Sequence, residues 1–441
     1  MSPSRAADVK LAVVVQRYGA QINGGAELHA RYIAERLGRH VETDVITTCA
    51  RDYITWQNEF PPGQEEINGV RVFRFPVSHE RDPLRFARHS QTVFYERHSI
   101  ADELAWLDSE GPASQLLIRH LRAAAAEYEF FIFFSYRYYH AYHGIRALAD
   151  RALLVPTAER DPAIGLGIFA PVFRAARGIM YNSPEERAMI RALSGNREVP
   201  GVVVGIGSEI PAETDAERFR RKFDVRGRFA IYVGRIDENK GCRELFQYFE
   251  EYARRTPGGL SLVLVGNPIL QVPSHPRIRH LGVLDDLDKF DAIAAAEVLV
   301  MPSPYESLSM VALEAWALAR PVLANARCDV LKGQCIRSNA GLYYDDLREF
   351  VWALSRLEAD GPLADALGRN GRRYYGTHYT WPVIEGKYLD MLERLRGEPG
   401  TAARPGIEPL PGWFARRRRT QAPASAVIAN LPAGPVTTAG D

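Results

Sequence analysis

The chain has 441 residues, of which 46% are hydrophobic and 25% are charged, and these fractions are typical of a globular protein with a large core. The length suits two or three domains. Its 55 basic and 54 acidic residues nearly balance, so the overall charge gives no support for nucleic-acid binding. The four cysteines include no CxxC pair, which disfavours a zinc site or a disulfide scaffold and favours reduced thiols in a cytosolic protein.

The hydropathy pattern predicts no secretory signal and no membrane anchor. The apolar run that begins at Leu11 is short and soon turns polar. No window approaches the roughly 18 apolar residues of a membrane helix. We therefore expect a soluble, cytoplasmic protein.

The first half of the chain opens with a strand, a glycine turn and a helix. The valine-rich segment 10–16 predicts the strand, Gly24 and Gly25 form the turn, and apolar residues at helical spacing predict a helix from near Ala26. Such a unit begins a doubly wound sheet. Further apolar strands are predicted at 43–48, 70–75, 130–135, 152–156, 178–182 and 201–205. Helical patterns separate most of them, which indicates a mainly parallel α/β domain.

A second series of strands follows the polar stretch 208–228. The strands are predicted at 229–234, 260–266, 277–282, 298–303, 321–325 and 341–344, with an amphipathic helix at 243–255. The sequence thus predicts two tandem α/β domains, residues 1–207 and 208–382, followed by a terminal helix at 383–398.

The tail, residues 399–441, is rich in Pro, Ala and Gly and lacks the apolar periodicity of a core, so we expect it to be disordered. Trp413 and Phe414 precede four consecutive arginines, Arg416 to Arg419. This group is either a solvated segment or a weak contact with an anionic membrane.

Two glutamates interrupt the small and apolar segment PSPYESLSMVALEAWALARPVLAN (302–325). Burial of an unpaired carboxylate is costly, so their presence requires a reason. A helix predicted to begin near Ser307 to Ser309 would present free N–H groups and a positive dipole to a phosphate. Glu306 would lie just before this helix, and Glu314, two turns in, is suited to accept hydrogen bonds from the paired hydroxyls of a ribose. Alternatively, Glu306 is a surface loop residue and Glu314 an ion-paired core residue.

Two further segments are candidate phosphate-binding loops. In VGRIDENKG (233–241), Arg235 and Lys240 could hold a diphosphate, although a turn with two surface cations has the same pattern. Gly24 and Gly25 would let backbone approach a ligand at a helix N-terminus, and a tight turn explains them equally well. The segment has neither the Walker pattern nor GxGxxG.

The spacing of Glu306 and Glu314, between MPSPY and EAWALARPVLAN, resembles the EX7E signature of retaining glycosyltransferases of family 4. The resemblance extends over about residues 8–398 and implies the GT-B fold, two Rossmann-like domains that face across a cleft. It implies that Arg235 and Lys240 neutralise the leaving nucleoside diphosphate and that Glu306 and Glu314 hold the donor sugar and the ribose. The residues that it places around the donor are Gly24, Gly25, Val283, Leu308, Ser309 and Met310.

The chain departs from the family pattern at three positions. Where members often carry a histidine at the sugar site, the segment VPTAERDPA has Glu159, so no catalytic histidine is assigned. Ser309 and Ala319 stand where glycine is common. His140 and His143 follow a predicted strand and could face the cleft, or they could be packed or surface histidines.

The resemblance implies a retaining, metal-independent glycosyltransferase without a cofactor, which moves a sugar from a UDP- or GDP-sugar to a hydroxyl acceptor. The catalytic residues would be Glu306, Arg235 and Lys240. The expected acceptor is a carbohydrate or lipid-linked compound of bacterial surface polysaccharide or lipopolysaccharide synthesis, at the inner face of the membrane. The alternatives are a catalytically silent GT-B binding or scaffold protein, and another GT-B enzyme such as a sugar-nucleotide epimerase.

Overall fold

The structure is a computed structural model that describes residues 10–22, 24–400, 411 and 424–429. Its first half forms an eight-stranded sheet in the order β3-β4-β2-β1-β5-β6-β7-β8. The strands are β1 (Lys10–Val14), β2 (Glu42–Thr48), β3 (Gly63–Ile67), β4 (Val70–Phe75), β5 (Phe130–Phe134), β6 (Ala152–Val155), β7 (Gly178–Tyr181) and β8 (Gly201–Val203). Only β3 runs antiparallel to its neighbour among these strands.

The second half forms a six-stranded parallel sheet in the order β11-β10-β9-β12-β13-β14. Its strands are β9 (Phe229–Val233), β10 (Ser261–Val265), β11 (Ile278–His280), β12 (Val298–Met301), β13 (Val322–Asn325) and β14 (Gly341–Tyr344). All six lie within or match the segments predicted from sequence. The central strands of both sheets have continuous apolar sequences, because helices cover both faces of each sheet.

Helices connect the strands of each sheet. The first half contains α1 (Gly25–Leu37), α2 (Pro83–Tyr95), α3 (Ile100–Glu110), α4 (Gln115–Ala123), α5 (Tyr139–Leu148), α6 (Phe169–Ala175) and α7 (Pro184–Ser194). The second contains α8 (Ala216–Phe223), α9 (Cys242–Arg255), α10 (Asp286–Ala295), α11 (Met310–Ala317), α12 (Asp329–Ser338), α13 (Leu347–Ala359), α14 (Gly361–His378) and α15 (Trp381–Gly397). The predicted α/β architecture with two sheets is confirmed.

Strand β3 was not predicted. Its sequence, GQEEI, has four exposed residues and little of the β-branched or aromatic content that marks a strand. It pairs with β4 alone, at the edge of the sheet. Charged side chains are common on such edges because they discourage pairing with another chain.

The terminal helix α15 crosses back to pack on the first domain. The side chains of Met391 and Leu395 lie so close to Gly178 in β7 that a Cβ there would be 2.9 Å and 3.1 Å from them. The Arg177 guanidinium donates to the Leu395 carbonyl at 2.5 Å, and Glu385 pairs with His40 at 2.8 Å. The helix therefore ties the end of the second half to the first sheet.

Most of the tail predicted to be disordered, including Trp413, Phe414 and Arg416 to Arg419, lies outside the described residues. The Pro411 carbonyl accepts a hydrogen bond from the Tyr142 hydroxyl at 2.7 Å. A short helix, α16 (Ala424–Ala429), was not predicted, although its alanine-rich sequence has good helix propensity. In the described part of the chain, we find no helix of the length and apolar character needed to cross a membrane.

The two sheets each have a switch point where the strand order reverses, between β1 and β5 in the first and between β9 and β12 in the second. Ligands bind outside the carboxyl ends of the strands at such points in open α/β sheets. Gln16 and Ser135 follow the first pair of strands, and Gly234 and Ser303 follow the second pair. All four residues line one cavity, so the two switch points face the same space.

Candidate active site

A cleft of about 500 Å³ lies between the two domains. Loops at the carboxyl ends of both sheets contribute to its walls, together with the beginnings of α1 and α11. Of the residues singled out in the sequence, the following line it: Gly25, Glu159, Lys240, Glu306, Leu308, Ser309, Met310 and Glu314.

Lys240 and Glu306 form an ion pair in the cleft, with 2.8 Å between Nζ and Oε1. Gly241 lets their loops approach: its φ is +73°, and a Cβ there would lie 2.2 Å from the Pro302 carbonyl oxygen. Burial lowers the pKa of Lys240, but the charges of Glu306 and Glu159 outweigh it and raise the pKa above its ordinary value. Lys240 is therefore a protonated side chain that its ion pair with Glu306 fixes beside the start of α11.

Arg235 belongs to the same loop but is not among the residues that line the cavity. Its Nε donates to the Asp237 carboxylate, and its Nη1 donates to the Tyr53 hydroxyl of the first domain at 3.2 Å. Asp237 also accepts from the Lys240 backbone N–H at 2.8 Å. Asp237 thus connects the Arg235 guanidinium to the backbone of Lys240, and one guanidinium nitrogen reaches across to the first domain.

Helix α11 begins beside the cleft as predicted, with Ser309 as its N-cap. Ser309 has a φ of +73°, and its Oγ accepts from the Ala312 N–H at 3.4 Å. This backbone region favours glycine, which explains why a glycine is common there. Ala319, the other departure, has a φ of +54°. Free N–H groups at this helix start can receive an anion.

Glu314 is buried, with 2% of its surface exposed. Its Oε1 accepts from the Ser208 hydroxyl at 2.7 Å and lies 3.2 Å from Lys289 Nζ. Its Oε2 is buried and has no hydrogen-bond partner among the described residues. The ion-paired interpretation thus accounts for one oxygen, and the second is free to accept from a ligand.

Glu159 lines the cleft from the first domain. Burial raises its pKa to about 7, and the carboxylates of Glu306 and Asp161 add to this effect while Lys240 opposes it. The preceding residue, Ala158, donates its N–H to the buried Glu186 at 2.6 Å, and Glu186 also accepts from the Asn182 N–H at 2.5 Å. Burial raises the pKa of Glu186 to about 8. Glu186 therefore fixes the two loops that present Glu159 and Asn182.

Besides Arg235, four residues proposed from sequence are not among those that line the cavity. His140 is buried, its Nε2 lies 2.9 Å from the Phe134 carbonyl oxygen, and burial lowers its pKa to about 4. His143 packs its ring on Tyr139 with 4.2 Å between centroids. Val283 is exposed. Gly24 makes room for Glu27, whose Oε2 would be 2.2 Å from a Cβ at this position.

Sequence reasoning missed several polar residues of the cleft. Gln16 Oε1, His29 Nε2 and Asn182 Oδ1 are buried, line the cavity and have no hydrogen-bond partner among the described residues. Gln16 and Asn182 could have been found because each lies at the carboxyl end of a predicted buried strand. His29 lies within α1, where nothing in the sequence distinguishes it from a core residue.

Backbone strain also concentrates here. Ser135 and Thr157 have φ values of +64° and +47°, and their hydroxyls lie 2.8 Å apart at the ends of β5 and β6. Residues other than glycine rarely adopt this region, and where they do, the position is often functional. With Ser309, three strained residues border the cleft.

Comparison with known proteins finds glycosyltransferases among the relatives of this chain. The family model of group 1 glycosyl transferases matches residues 227–360, which include Arg235, Lys240, Glu306 and Glu314. D-inositol 3-phosphate glycosyltransferase from Acidothermus cellulolyticus is 27% identical, over 85% of this chain and 87% of its own. Lipopolysaccharide core biosynthesis glycosyltransferase LpsE from Rhizobium meliloti is also 27% identical, over 50% of this chain and 65% of its own.

Solved structures share the fold. Sucrose-phosphate synthase from Thermosynechococcus elongatus superposes with a TM-score of 0.63 at 18% identity, over 88% of this chain and 99% of its own. HepE from Anabaena, solved in complex with UDP, gives a TM-score of 0.64 at 16% identity, over 88% of this chain and 100% of its own. These findings agree with the resemblance noted from the two glutamates: residues 227–360 match the group 1 glycosyl transferases, and the chain has the GT-B fold.

Proposed function

We propose that this glycosyltransferase moves a sugar from a nucleoside diphosphate donor to an acceptor hydroxyl with retention of anomeric configuration. The observation that carries the proposal is the pairing of Lys240 with Glu306 at the start of α11, with the unpartnered Oε2 of Glu314 in the same cleft. A cation, a helix N-terminus and a carboxylate with a free oxygen suit a diphosphate, a sugar and a ribose in one extended ligand.

In this proposal, the bond between the anomeric carbon and the diphosphate oxygen breaks, and its electron pair leaves with the nucleoside diphosphate. Lys240, Arg235 and the N–H groups near Ser309 stabilise the charge that grows on the phosphate. The acceptor oxygen bonds to the anomeric carbon on the face from which the phosphate leaves, and its proton passes to that phosphate. Glu306 holds the donor sugar hydroxyls while paired with Lys240.

No cofactor and no divalent metal are needed if these cations carry the phosphate charge. This part of the proposal rests on the protonated state of Lys240. Burial lowers the pKa of Lys240, but Glu306 and Glu159 raise it above its ordinary value. The charge is then present at any pH at which the protein would work.

The donor nucleotide is proposed to be UDP or GDP, with UDP tested first because HepE was solved with UDP. The proposed setting is bacterial surface polysaccharide or lipopolysaccharide assembly in the cytoplasm, with a carbohydrate or lipid-linked acceptor. The partial match to LpsE supports this setting. Peripheral contact with the membrane through Arg416 to Arg419 remains a prediction outside the described residues.

The proposal is tested by incubating the full chain with UDP-sugars and GDP-sugars and following nucleoside diphosphate release. Proton NMR of the released or transferred sugar then gives the anomeric configuration. We expect release from one nucleotide class and a first-formed product of unchanged configuration. An inverted product would contradict the retaining mechanism. The absence of both binding and release for every donor would contradict the proposed function itself.

A further inference from the structure

The first-domain wall of the cleft has no free cation among the described residues. Within that part of the chain, Arg137 is the only lysine or arginine of the first domain that lines the cavity. Its Nε lies 2.8 Å from Glu110 Oε1 in an ion pair, and its Nη1 donates a hydrogen bond to Asp161 at 2.6 Å. Two carboxylates thus compensate its single charge.

The neighbouring charged groups are compensated in the same way. Arg17 donates two hydrogen bonds to Glu27 Oε1, from Nε at 2.8 Å and from Nη2 at 2.6 Å. Its Nη1 donates to the Arg51 carbonyl. Glu110 is shared with Arg81 at 2.8 Å. Glu159 and Asp161 add acidic groups to the cavity wall. A phosphate dianion placed against this wall would meet an arginine already paired with two carboxylates, and the further carboxyl group of Glu159.

Of the three neutral polar groups on this wall that have an unpartnered buried atom in the described chain, Gln16 and His29 carry the argument. Gln16 is 1% exposed and His29 is 3% exposed, and both Gln16 Oε1 and His29 Nε2 are buried without a hydrogen bond in the described part of the chain. Burial lowers the pKa of His29 to about 3, so its imidazole is neutral. A buried polar atom without a partner costs roughly 1–3 kcal/mol, and a ligand hydroxyl would remove that cost.

We propose that the acceptor ring entering this cleft is an uncharged polyhydroxyl compound, such as a glycan sugar, which hydrogen-bonds Gln16 and His29. The inference rests on the proposed glycosyl transfer and narrows its acceptor. It separates this chain from the relatives named for D-inositol 3-phosphate, a phosphorylated compound. The hydroxyls of a sugar both donate and accept, which suits an amide oxygen and a neutral imidazole.

The acceptor class is tested with the donor found above and matched acceptors. The methyl α-glycosides of glucose, mannose and galactose are compared with the same glycosides carrying a 6-phosphate. We expect at least one neutral glycoside to be glycosylated with a kcat/KM at least roughly tenfold above that of its phosphate. A phosphorylated glycoside that performs as well or better overturns the proposal. So does a failure of every neutral glycoside while donor hydrolysis proceeds, whereas absent donor hydrolysis points to the proposed function instead.

The two residues are tested with Gln16→Met and His29→Phe, which keep the approximate size of each side chain and remove its hydrogen-bonding atom. We expect each to raise the acceptor KM by roughly tenfold, and by a larger factor than it raises the donor KM. An equal rise in both KM values, or an unchanged acceptor KM, would contradict this assignment.

His120→Phe is the matched control for these variants. His120 also has a buried Nε2 without a partner in the described chain, but it stacks on Phe75 and does not line the cavity. The control should leave both KM values unchanged. A nucleoside diphosphate thermal shift equal to that of the wild type confirms that each variant is folded.

Discussion

Lys240 Nζ lies 2.8 Å from Glu306 Oε1, and both groups sit where the loop after β9 meets the loop before α11. In the proposed function, Lys240 supplies a positive charge for the leaving phosphate and Glu306 supplies a carboxylate for the sugar. Both groups are partly buried, and their mutual attraction offsets part of the desolvation cost of each.

Replacement of Lys240 by Met should lower kcat by about 10²–10³-fold, because the phosphate charge loses its main stabilising cation and Glu306 is left unpaired. Steady-state kinetics at saturating donor would measure this. Lys332→Met is the control, since Lys332 packs over the Tyr343 ring at 5.3 Å and does not line the cleft. A loss below about tenfold in a folded Lys240→Met protein would contradict the assigned role.

Glu314→Gln should raise the donor KM by roughly tenfold with little change in kcat, because ribose binding is lost equally from ground and transition states. A donor with a 2′-deoxyribose distinguishes the loss of ribose binding from a folding defect. The wild type should bind the deoxy donor more weakly than the normal one, whereas Glu314→Gln should hardly distinguish the two. Equal discrimination by both proteins would show that Oε2 does not bind the ribose.

Ala319→Gly should stabilise the protein by about 0.5–1 kcal/mol, because Ala319 has a φ of +54° and glycine removes the strain. Ala317→Gly, in the last turn of α11 with right-handed geometry, should instead destabilise by up to about 1 kcal/mol. Urea unfolding of the three proteins gives both values. Destabilisation by both substitutions would contradict the strain at Ala319.

Ser309→Gly tests strain at the site itself. The glycine relieves a φ of +73° but removes the Oγ that caps Ala312, so stability should change by less than about 1 kcal/mol. Donor affinity should be retained, because the N–H groups of α11 remain. A large loss of donor binding would show that the Ser309 hydroxyl itself contacts the ligand.

Glu159 should make donor binding depend on pH. Its folded pKa of about 7 lies above the ordinary value, so the neutral acid predominates below pH 7 and the carboxylate above it. Affinity for the anionic donor should therefore fall as pH rises from 6 to 8, and Glu159→Gln should abolish much of this fall. Titration calorimetry with the nucleoside diphosphate would measure it. A pH dependence that persists unchanged in the variant would assign it to another group.

The same shift predicts an effect on stability. A carboxyl group whose folded pKa is raised contributes most below its unfolded pKa, and that contribution is lost as pH rises through about 7. Glu159→Gln should gain stability relative to the wild type at pH 8 and not at pH 4. Thermal melts at the two pH values test the sign, and a relative loss at pH 8 would contradict it.

Removal of divalent ions should leave activity unchanged. The phosphate charge is assigned to Lys240, Arg235 and the start of α11, so transfer in excess EDTA should proceed at the rate seen with added Mg²⁺. A loss of activity in EDTA that Mg²⁺ or Mn²⁺ restores would contradict this assignment.

The sheets and the loops that follow their strands could be predicted from sequence because local patterns determine them. An apolar run followed by glycine is typical of a buried strand that ends in a turn, as at Gly234 after β9. The edge strand β3 could not be predicted, since its exposed glutamates carry no apolar pattern. It exists because β4 offers a free edge.

Pairings between distant residues could not be predicted. Lys289 lies 25 positions before Glu314 and reaches it only because α10 packs beside α11. Likewise, Arg235 contacts Tyr53 across 182 positions, through the approach of the two domains. The unpartnered atoms of Gln16 and His29 depend on the packing around each side chain, which a single sequence does not contain.

The central claim is that the cleft binds a nucleoside diphosphate through Lys240 and Glu314. The most direct measurement is a thermal-shift panel of UDP, GDP and ADP with wild type, Lys240→Met and Glu314→Gln. A nucleotide at 100 times its dissociation constant should add roughly 2.7 kcal/mol of stability to the wild type. We predict such a shift for one nucleotide and its reduction in both variants. No shift with any nucleotide, or an equal shift in all three proteins, would contradict the account.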